Sequence, residues 1–311
     1  MSTISVIVPI HNGSRFLAAT LDAVLAQASP ADELIVVDDG STDQGAALAA
    51  ARGLTVLTQT RQGVCVARNA GLAAARGDFV CFLDQDDIWH PQHLQHQRWA
   101  LNAATDPVAV VSPYQHWHPR PDGQYAEPQT LFPPPSEPRL LPEFSGWVYH
   151  QFMRDCWALT SATLLRRESL LRHGAFDPSL PFSEDWQLWL RLSRIGRFAA
   201  VNGPPVLYRQ HPRQGSRVPR DIDYRCRLLR EHWHRHGLRS ADGRGLPEPE
   251  FLALLAGYRM EYGYQHLQHG SRQIAIAALL DAWRMQPRRL RYLALATAAL
   301  VGWRPGDTLP A

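Results

Sequence analysis

GVCVARNAGLAAARGDFVCFLDQDDIWHP, residues 63–91, reads as a helix, a break, a buried strand and a run of acids, in that order. Its small, Ala-rich first half suits a helix to residue 76 that ends at Gly77. The apolar run 79–83 then predicts a short strand covered on both faces, and it stops on Asp84, Asp86 and Asp87. The same unit recurs upstream. Residues 4–10 (ISVIVPI) are a nearly all-apolar strand, followed over 16–28 by Leu17, Thr20, Leu21, Val24 and Leu25 at helical spacing. A second buried strand, 33–37, ends in Asp38 and Asp39. Its DDGSTD turn leads into an Ala-rich helix with Thr42 or Asp43 near its cap. A third strand at 54–57, a proline-opened helix at 91–104 and a fifth strand at 108–111 complete the series. Strands alternating with helices imply right-handed crossovers and a mostly parallel sheet, whose ligands bind outside the carboxyl ends of the strands.

The rest of the chain is less regular. Nine prolines fall within 113–146, which predicts a long surface loop or extended arm. Order resumes at 157–165, with helices near 166–173 and 185–196, and 198–209 is broken by a Gly-Pro-Pro turn. Beyond residue 218 the pattern is helical, with segments near 221–236, 248–268, 271–285 and 288–301. The expected division is a domain at 1–215, made of a first half at 1–112 and a second at 113–215, followed by a helical region at 216–311.

Composition sets bounds. The 311 residues are 45% hydrophobic and 20% charged, as for a folded globular chain rather than a disordered or collagen-like one. The net charge of +3 conceals a split: residues 1–150 carry 8 Arg against 15 acids, residues 151–311 carry 24 Arg against 14. All 32 basic residues are Arg, so chemistry that needs a lysine is excluded. Cys65, Cys81, Cys156 and Cys226 are widely spaced and read as small buried thiols. No signal peptide is expected. The longest apolar run, 292–303, spans about 18 Å as a helix, short of a bilayer. A cytoplasmic protein is expected, with peripheral contact at the inner face of the membrane left open as an alternative.

The acids at the strand ends carry the chemistry. Parallel strands would bring Asp38 and Asp39 to the same rim as Asp84, Asp86 and Asp87. Like charges so placed call for a cation or a hydrogen-bonding ligand, and Asp-x-Asp suits Mg²⁺ or Mn²⁺ with positions left for phosphate oxygens. Asp87 is expected to cap the following turn.

These stretches, together with SVIVPIHNGSRFLAATLDAVLAQ (5–27), ELIVVDDGSTD (33–43), FSEDWQLWLRL (182–192) and LYRQHPRQGS (207–216), resemble the family 2 glycosyltransferases over about residues 4–216. The resemblance implies the GT-A fold, a Rossmann-like sheet sandwiched by helices, and inverting transfer from a UDP- or dTDP-sugar to a hydroxyl. It implies that Pro9 and His11 line the nucleoside pocket, with the imidazole in place of a base-stacking ring. Asp39 would accept from the base, Asp38 would order backbone or touch the ribose, and Arg68 and Asn69 would face the nucleotide. Asp86 would bind the Mn²⁺ or Mg²⁺, Asp84 the ribose or the metal through water, and His211 the metal or diphosphate. Asp185 would be the general base, with Glu184 supporting it; Trp186 or Trp189 is a candidate acceptor platform, set against plain core packing.

The Q-x-x-R-W signature of processive polysaccharide synthases is read as absent, so single, non-processive addition is expected, in cell-surface glycan or polysaccharide synthesis. The fourteen histidines are not read as a zinc site. The expected acceptor is a glycan or lipid-linked glycan. The basic helical region is expected to meet membrane through PRRLRYLALATAALVGW (287–303) or to pack as an amphipathic helix, and no nucleic acid is expected. A catalytically idle nucleotide-sugar binder on the same fold is the alternative, disfavoured because a binder has no need of the Glu184-Asp185 pair.

Overall fold

The computed structural model describes residues 2–134, 136–211, 220–303 and 305. In chain order the elements are β1 (Ile4–Ile10), α1 (Ser14–Leu25), β2 (Glu33–Asp39), α2 (Gly45–Ala50), β3 (Thr55–Gln59), α3 (Val64–Ala74), β4 (Phe79–Phe82), α4 (His93–Ala103), β5 (Ala109–Val111) and β6 (Tyr114–Trp117). There follow α5 (Tyr149–Phe152), β7 (Thr163–Arg166), α6 (Arg167–His173), α7 (Glu184–Ile195), β8 (Phe198–Ala200), β9 (Val206–Arg209), α8 (Tyr224–His236), α9 (Glu248–His269), α10 (Arg272–Met285) and α11 (Leu290–Leu300).

Two compact units result, one of residues 1–148 and 156–212, the other of 149–155 and 213–311. The expected division at 215/216 lies outside the described residues. The first unit is built on a seven-stranded sheet in the order β3-β2-β1-β4-β7-β5-β8, with β7 antiparallel to both neighbours and the other pairs parallel. All seven residues of β1 are buried, as its apolar run requires. Its one hydroxyl is satisfied: Ser5 donates to Glu33 at 2.6 Å and accepts from the Gly77 N–H at 2.9 Å.

Each face of β1 has its own cover. Ile4, Val6, Val8 and Ile10 share a core with Leu17, Leu21 and Val24 of α1 and Leu94 and Ala100 of α4. On the other face α3 lies so close that a Cβ on Gly71 would sit 2.3 Å from Ile7 Cγ2 and 3.1 Å from Val37 Cγ2. Gly71→Ala should therefore lower unfolding stability by about 1–3 kcal/mol, read from the urea midpoint; an unchanged midpoint would mean the helix stands off the sheet.

The 113–146 segment departs from the expected loop. Residues 114–117 between Pro113 and Pro119 keep their N–H groups, and they form β6, which pairs in parallel with β9 in a second, two-stranded sheet. Leu140 and Gly146 bridge to Val201 and Phe198. Among its described residues the remainder of the segment holds short 3₁₀ turns at Pro128–Thr130 and Pro142–Phe144.

The second unit is helical. Leu267, Ala275, Leu279, Ala296 and Ala299 form one buried cluster, so the alanine face of α11 packs within its own unit. Arg259 bridges Asp223 at 3.2 Å and Asp281 at 2.9 Å, and Arg230 adds a second bond to Asp281 at 2.8 Å. Among the described residues no helix is long and apolar enough to cross a membrane. All four cysteines are free thiols: Cys65, Cys81 and Cys226 are buried and Cys156 is partly so.

Candidate active site

Sheet order places β1 between β2 and β4, so the chain runs out on one side of β1 through β2 and β3 and returns on the other at β4, which opens a crevice at the carboxyl end of β1. Gln85 closes the floor of that crevice: its amide oxygen accepts from His11 N at 2.9 Å and its amide nitrogen donates to His11 O at 3.2 Å. The His11 ring is fixed by a 2.9 Å contact of Nδ1 with Asp39 O. Pro9 is buried in β1 beyond the last β1–β4 pair, Ile7 with Phe82, so on that side its missing N–H leaves no rung of the ladder open.

The β2 end is tied by its own carboxylates. Asp38 accepts from Ser41 N at 3.0 Å, which orders the following turn. Asp39 accepts on Oδ1 from the Gln59 amide at 2.7 Å and Gln62 N at 2.8 Å, and on Oδ2 from Gly63 N at 2.8 Å. Burial opposes its ionisation, but these donors outweigh burial and hold its pKa below the usual value. Asp39 thus fixes the loop that starts α3. Asp43, expected near the cap of α2, serves two helix starts, with Oδ1 on Gly45 N at 3.0 Å and Oδ2 on Ser14 N at 2.8 Å.

The turn after β4 is braced from a distant part of the chain. Ser161, fully buried, accepts from Asp84 N at 3.1 Å and donates to Asp87 Oδ2 at 2.6 Å. Asp87 Oδ1 accepts from Arg209 N at 3.1 Å, so Asp87 is a buried brace between the turn, residue 161 and β9 rather than a cap. Burial, then Asp86 and Asp84, push its pKa well above the ordinary range. Arg209 also donates from Nε to Asp86 O at 2.7 Å, and its guanidinium lies 3.9 Å from the ring centre of Trp117, 4.4 Å from Phe16 and 4.6 Å from Tyr125. Arg209→Ala empties that aromatic cage and should cost about 2–4 kcal/mol of stability by urea unfolding. A loss below 0.5 kcal/mol, by the usual limit for surface changes, would contradict a buried brace.

The braced turn presents Asp84 and Asp86. Asp86 Oδ2 lies 2.9 Å from His211 Nε2. Burial and the Asp84 charge raise the Asp86 pKa, against the pull of His211. Asp84 Oδ1 is 2.7 Å from Arg68 Nη2, and Arg68 Nη1 is 3.0 Å from Glu184 Oε1. Arg68 is 3% exposed, over the Phe176 ring, and is no solvated helix arginine. It is a buried cation that joins the β4 end to the start of α7, and the two carboxylates hold its pKa up against the opposing effect of burial. Its neighbour Asn69 pairs with the Phe176 backbone both ways, at 2.8 and 3.1 Å, and so anchors the segment leading to α7.

Helix α7 begins after Ser183, whose φ of 62° is left-handed. A serine held there carries strain of about 1–3 kcal/mol, and it sits directly before Glu184 and Asp185. Asp185 Oδ1 accepts from Trp186 N at 2.6 Å. Burial, then the Glu184 charge, push the Asp185 carboxyl up to about 7, while Trp186 N and Arg68 pull it back. Trp186 and Trp189 are 4% and 0% exposed, and Trp189 donates to Ala158 O at 3.1 Å. Both are core residues, which removes them as an acceptor platform.

The donor set at the turn fits a hard divalent cation with few protein ligands. A carboxylate oxygen and an imidazole nitrogen already lie within 2.9 Å of each other, beside a second carboxylate. Among the described residues no cluster of three or more His, Cys, Asp or Glu could hold a metal by itself. His232 and His236 do have the i, i+4 spacing of a zinc pair, with ring centres 5.5 Å apart, but no third ligand joins them among the described residues. A literal Q-x-x-R-W also occurs, at residues 95–99 in α4. Its Arg98 binds Ser2 O, Pro30 O and Asp32, which precede β1 and β2 and so mark the rim opposite the carboxylates. It has no place at this site.

Gln85, Ser161 and Arg209 have no local signature, because each acts on backbone or side chains brought near by folding alone. Residues 212–216 of the LYRQHPRQGS motif lie outside the described residues.

Comparisons with known proteins agree on one family and one fold. The family model described as Glycosyl transferase family 2 matches residues 5–159. An uncharacterised glycosyltransferase of Rickettsia prowazekii is 26% identical over 206 residues, covering 62% of this chain and 59% of the relative. The amylovoran biosynthesis glycosyltransferase AmsB of Erwinia amylovora is 28% identical over 226 residues, covering 68% and 71%. Among solved structures, S. aureus TarS 1–349 in complex with UDP-GlcNAc superposes with a TM-score of 0.61 at 20% identity, covering 96% of this chain and 87% of that one. Mannosyltransferase PcManGT of Pyrobaculum calidifontis, in complex with GDP-Man and Mn²⁺, gives 0.56 at 23% identity, covering 98% and 81%. At these identities the structures establish the shared fold. The chain spans about three-fifths of the length of the first of these relatives.

Proposed function

Because this chain belongs to glycosyl transferase family 2, we propose that it moves a sugar from a UDP- or dTDP-sugar to an acceptor hydroxyl, one residue at a time and with inversion, in cell-surface glycan synthesis. The observation that carries this reading is Arg68, which pairs at 2.7 Å with Asp84 and at 3.0 Å with Glu184 and so holds two acidic groups at one rim. One group suits the donor and the other the acceptor. The nucleoside enters the crevice at Pro9, His11, Asp38 and Asp39, and the ribose reaches Asp84. Arg68 and Asn69 act on the nucleotide indirectly, the first by orienting Asp84 and the second by anchoring the chain opposite it.

Asp86 and His211, with Asp84 beside them, would hold Mn²⁺ or Mg²⁺, which when bound neutralises charge on the departing diphosphate. Asp185 takes the proton of the acceptor hydroxyl. The acceptor oxygen then forms its bond to the anomeric carbon as the bond to the diphosphate oxygen breaks on the opposite face, and a nucleoside diphosphate is released. A carboxyl with a pKa of about 7 is matched to that task near neutrality. Glu184, held by Arg68 at 3.0 Å, stands beside Asp185 and raises the basicity of that carboxylate.

The test is a panel of UDP-, dTDP- and GDP-sugars with Mn²⁺, read by melting temperature and by nucleoside diphosphate released. A shift and release ordered by base and sugar are expected. Binding without release under any acceptor would favour the idle binder, and neither response would end the reading.

A further inference from the structure

The two-stranded sheet has two unlike faces. Residues two apart on a strand share a face, and on one side Trp117 and Arg209 join the buried cage that braces Asp86. The other side carries Tyr114 and His116 from β6 and Tyr208 from β9. His116 stands opposite Tyr208 in the register. Its ring centre lies 5.4 Å from Tyr208 and 5.7 Å from Tyr114, and Tyr114 lies 6.2 Å from Tyr208. His116 is exposed, whereas both tyrosines are partly so.

The strand that carries Tyr208 is tied through its backbone to the acidic turn. Leu207 exchanges hydrogen bonds with Ile88 at 2.9 and 3.2 Å, and Arg209 N donates to Asp87 Oδ1 at 3.1 Å. Burial and then the charges of Asp87, Asp84, Asp185 and Asp86 all raise the Tyr208 phenol, which therefore feels both carboxylate groups. Burial and the neighbouring His118 lower the His116 pKa, keeping its ring neutral at pH 7.

We propose that Tyr114, His116 and Tyr208 form the platform on which a neutral pyranose ring of the acceptor stacks, placing its hydroxyl toward Asp185. Contiguous rings with hydroxyl and imidazole edges match the apolar face and polar rim of a sugar. The carboxylates alongside disfavour an anionic ring at the same place. The platform rests on the glycosyltransferase reading, and it supplies the acceptor surface that buried Trp186 and Trp189 do not.

The experiment is saturation-transfer NMR on the full chain with methyl β-D-glucopyranoside, methyl β-D-galactopyranoside and methyl α-D-mannopyranoside, beside UDP alone as a second arm. At least one pyranoside should receive saturation on its ring C–H protons. Tyr208→Ala and His116→Ala should each raise its Kd about tenfold, whereas Tyr208→Phe, which keeps the ring, should stay within about threefold. Melting curves identify a variant that fails to fold, and exposed His116 provides the variant least exposed to that risk. No pyranoside signal in the wild type, unchanged Kd in His116→Ala, or loss of the UDP signal in place of the sugar signal would each overturn the platform. Sugar binding without turnover of any nucleotide sugar would instead sink the transferase reading and leave the sugar surface standing.

Discussion

Asp185→Asn should reduce the turnover number by about 10²–10⁴ while leaving donor binding nearly intact, because it removes a proton acceptor without removing a ligand of the nucleotide. The pH profile adds a sharper expectation. With the carboxyl pushed up to about 7 by burial and by Glu184, wild-type turnover should fall about tenfold per unit below pH 7 and level off above pH 8. Residual turnover in Asp185→Asn should lose that limb. Stability should move the other way. Between the ordinary value of 3.8 and about 7 the folded state holds a proton that the unfolded chain has released, so stability declines as pH rises through that window. Asparagine never ionises, so the variant should melt above wild type at pH 8 and level with it at pH 4. A variant with full turnover, or one less stable than wild type at pH 8, would remove Asp185 from the role of base.

Asp86→Ala should lower turnover by about 10²–10³, the equivalent of several kcal/mol of lost charge neutralisation on the leaving diphosphate. It should also abolish the Mn²⁺-dependent part of the thermal shift given by UDP. The fold should survive, since the Asp86 carboxyl is itself disfavoured by burial and by Asp84, and since the turn is braced through Asp86 O and Asp87 rather than through that carboxyl. His211→Ala, which removes the imidazole 2.9 Å from Asp86, should weaken the Mn²⁺ response in the same direction. Undiminished Mn²⁺ dependence in both variants would place the metal elsewhere.

Much of this site is written in short stretches of sequence. A buried strand that ends in acids is visible from apolar runs alone, and the order of such strands fixes which rim the acids share. Strand-end residues Asp38, Asp39, Asp84 and Asp86 were therefore legible, and the helix-start pair Glu184-Asp185 was legible through the family motif. Roles that depend on partners were not. Asp87 reads as a turn cap until Ser161 and Arg209, 74 and 122 residues away, are seen to take its two oxygens. Trp186 and Trp189 read equally as platform or core, because helical spacing does not reveal which neighbour covers them. The literal Q-x-x-R-W on α4 is a match in letters whose arginine serves the opposite rim. Strand β6 was hidden among prolines because its pairing partner, β9, comes some ninety residues later.

The sequence by itself determined a mostly parallel α/β sheet, the acidic rim and the absence of any lysine, since these follow from local periodicity, strand order and composition. Tertiary structure alone decided that Arg68 is a buried link between Asp84 and Glu184, that Arg209 braces the turn after β4 from an aromatic cage, and that Tyr114, His116 and Tyr208 gather on one face of the two-stranded sheet. Each of those facts is a meeting of residues far apart in the chain, and the burial that gives their charges and rings their effect exists only once the chain has folded.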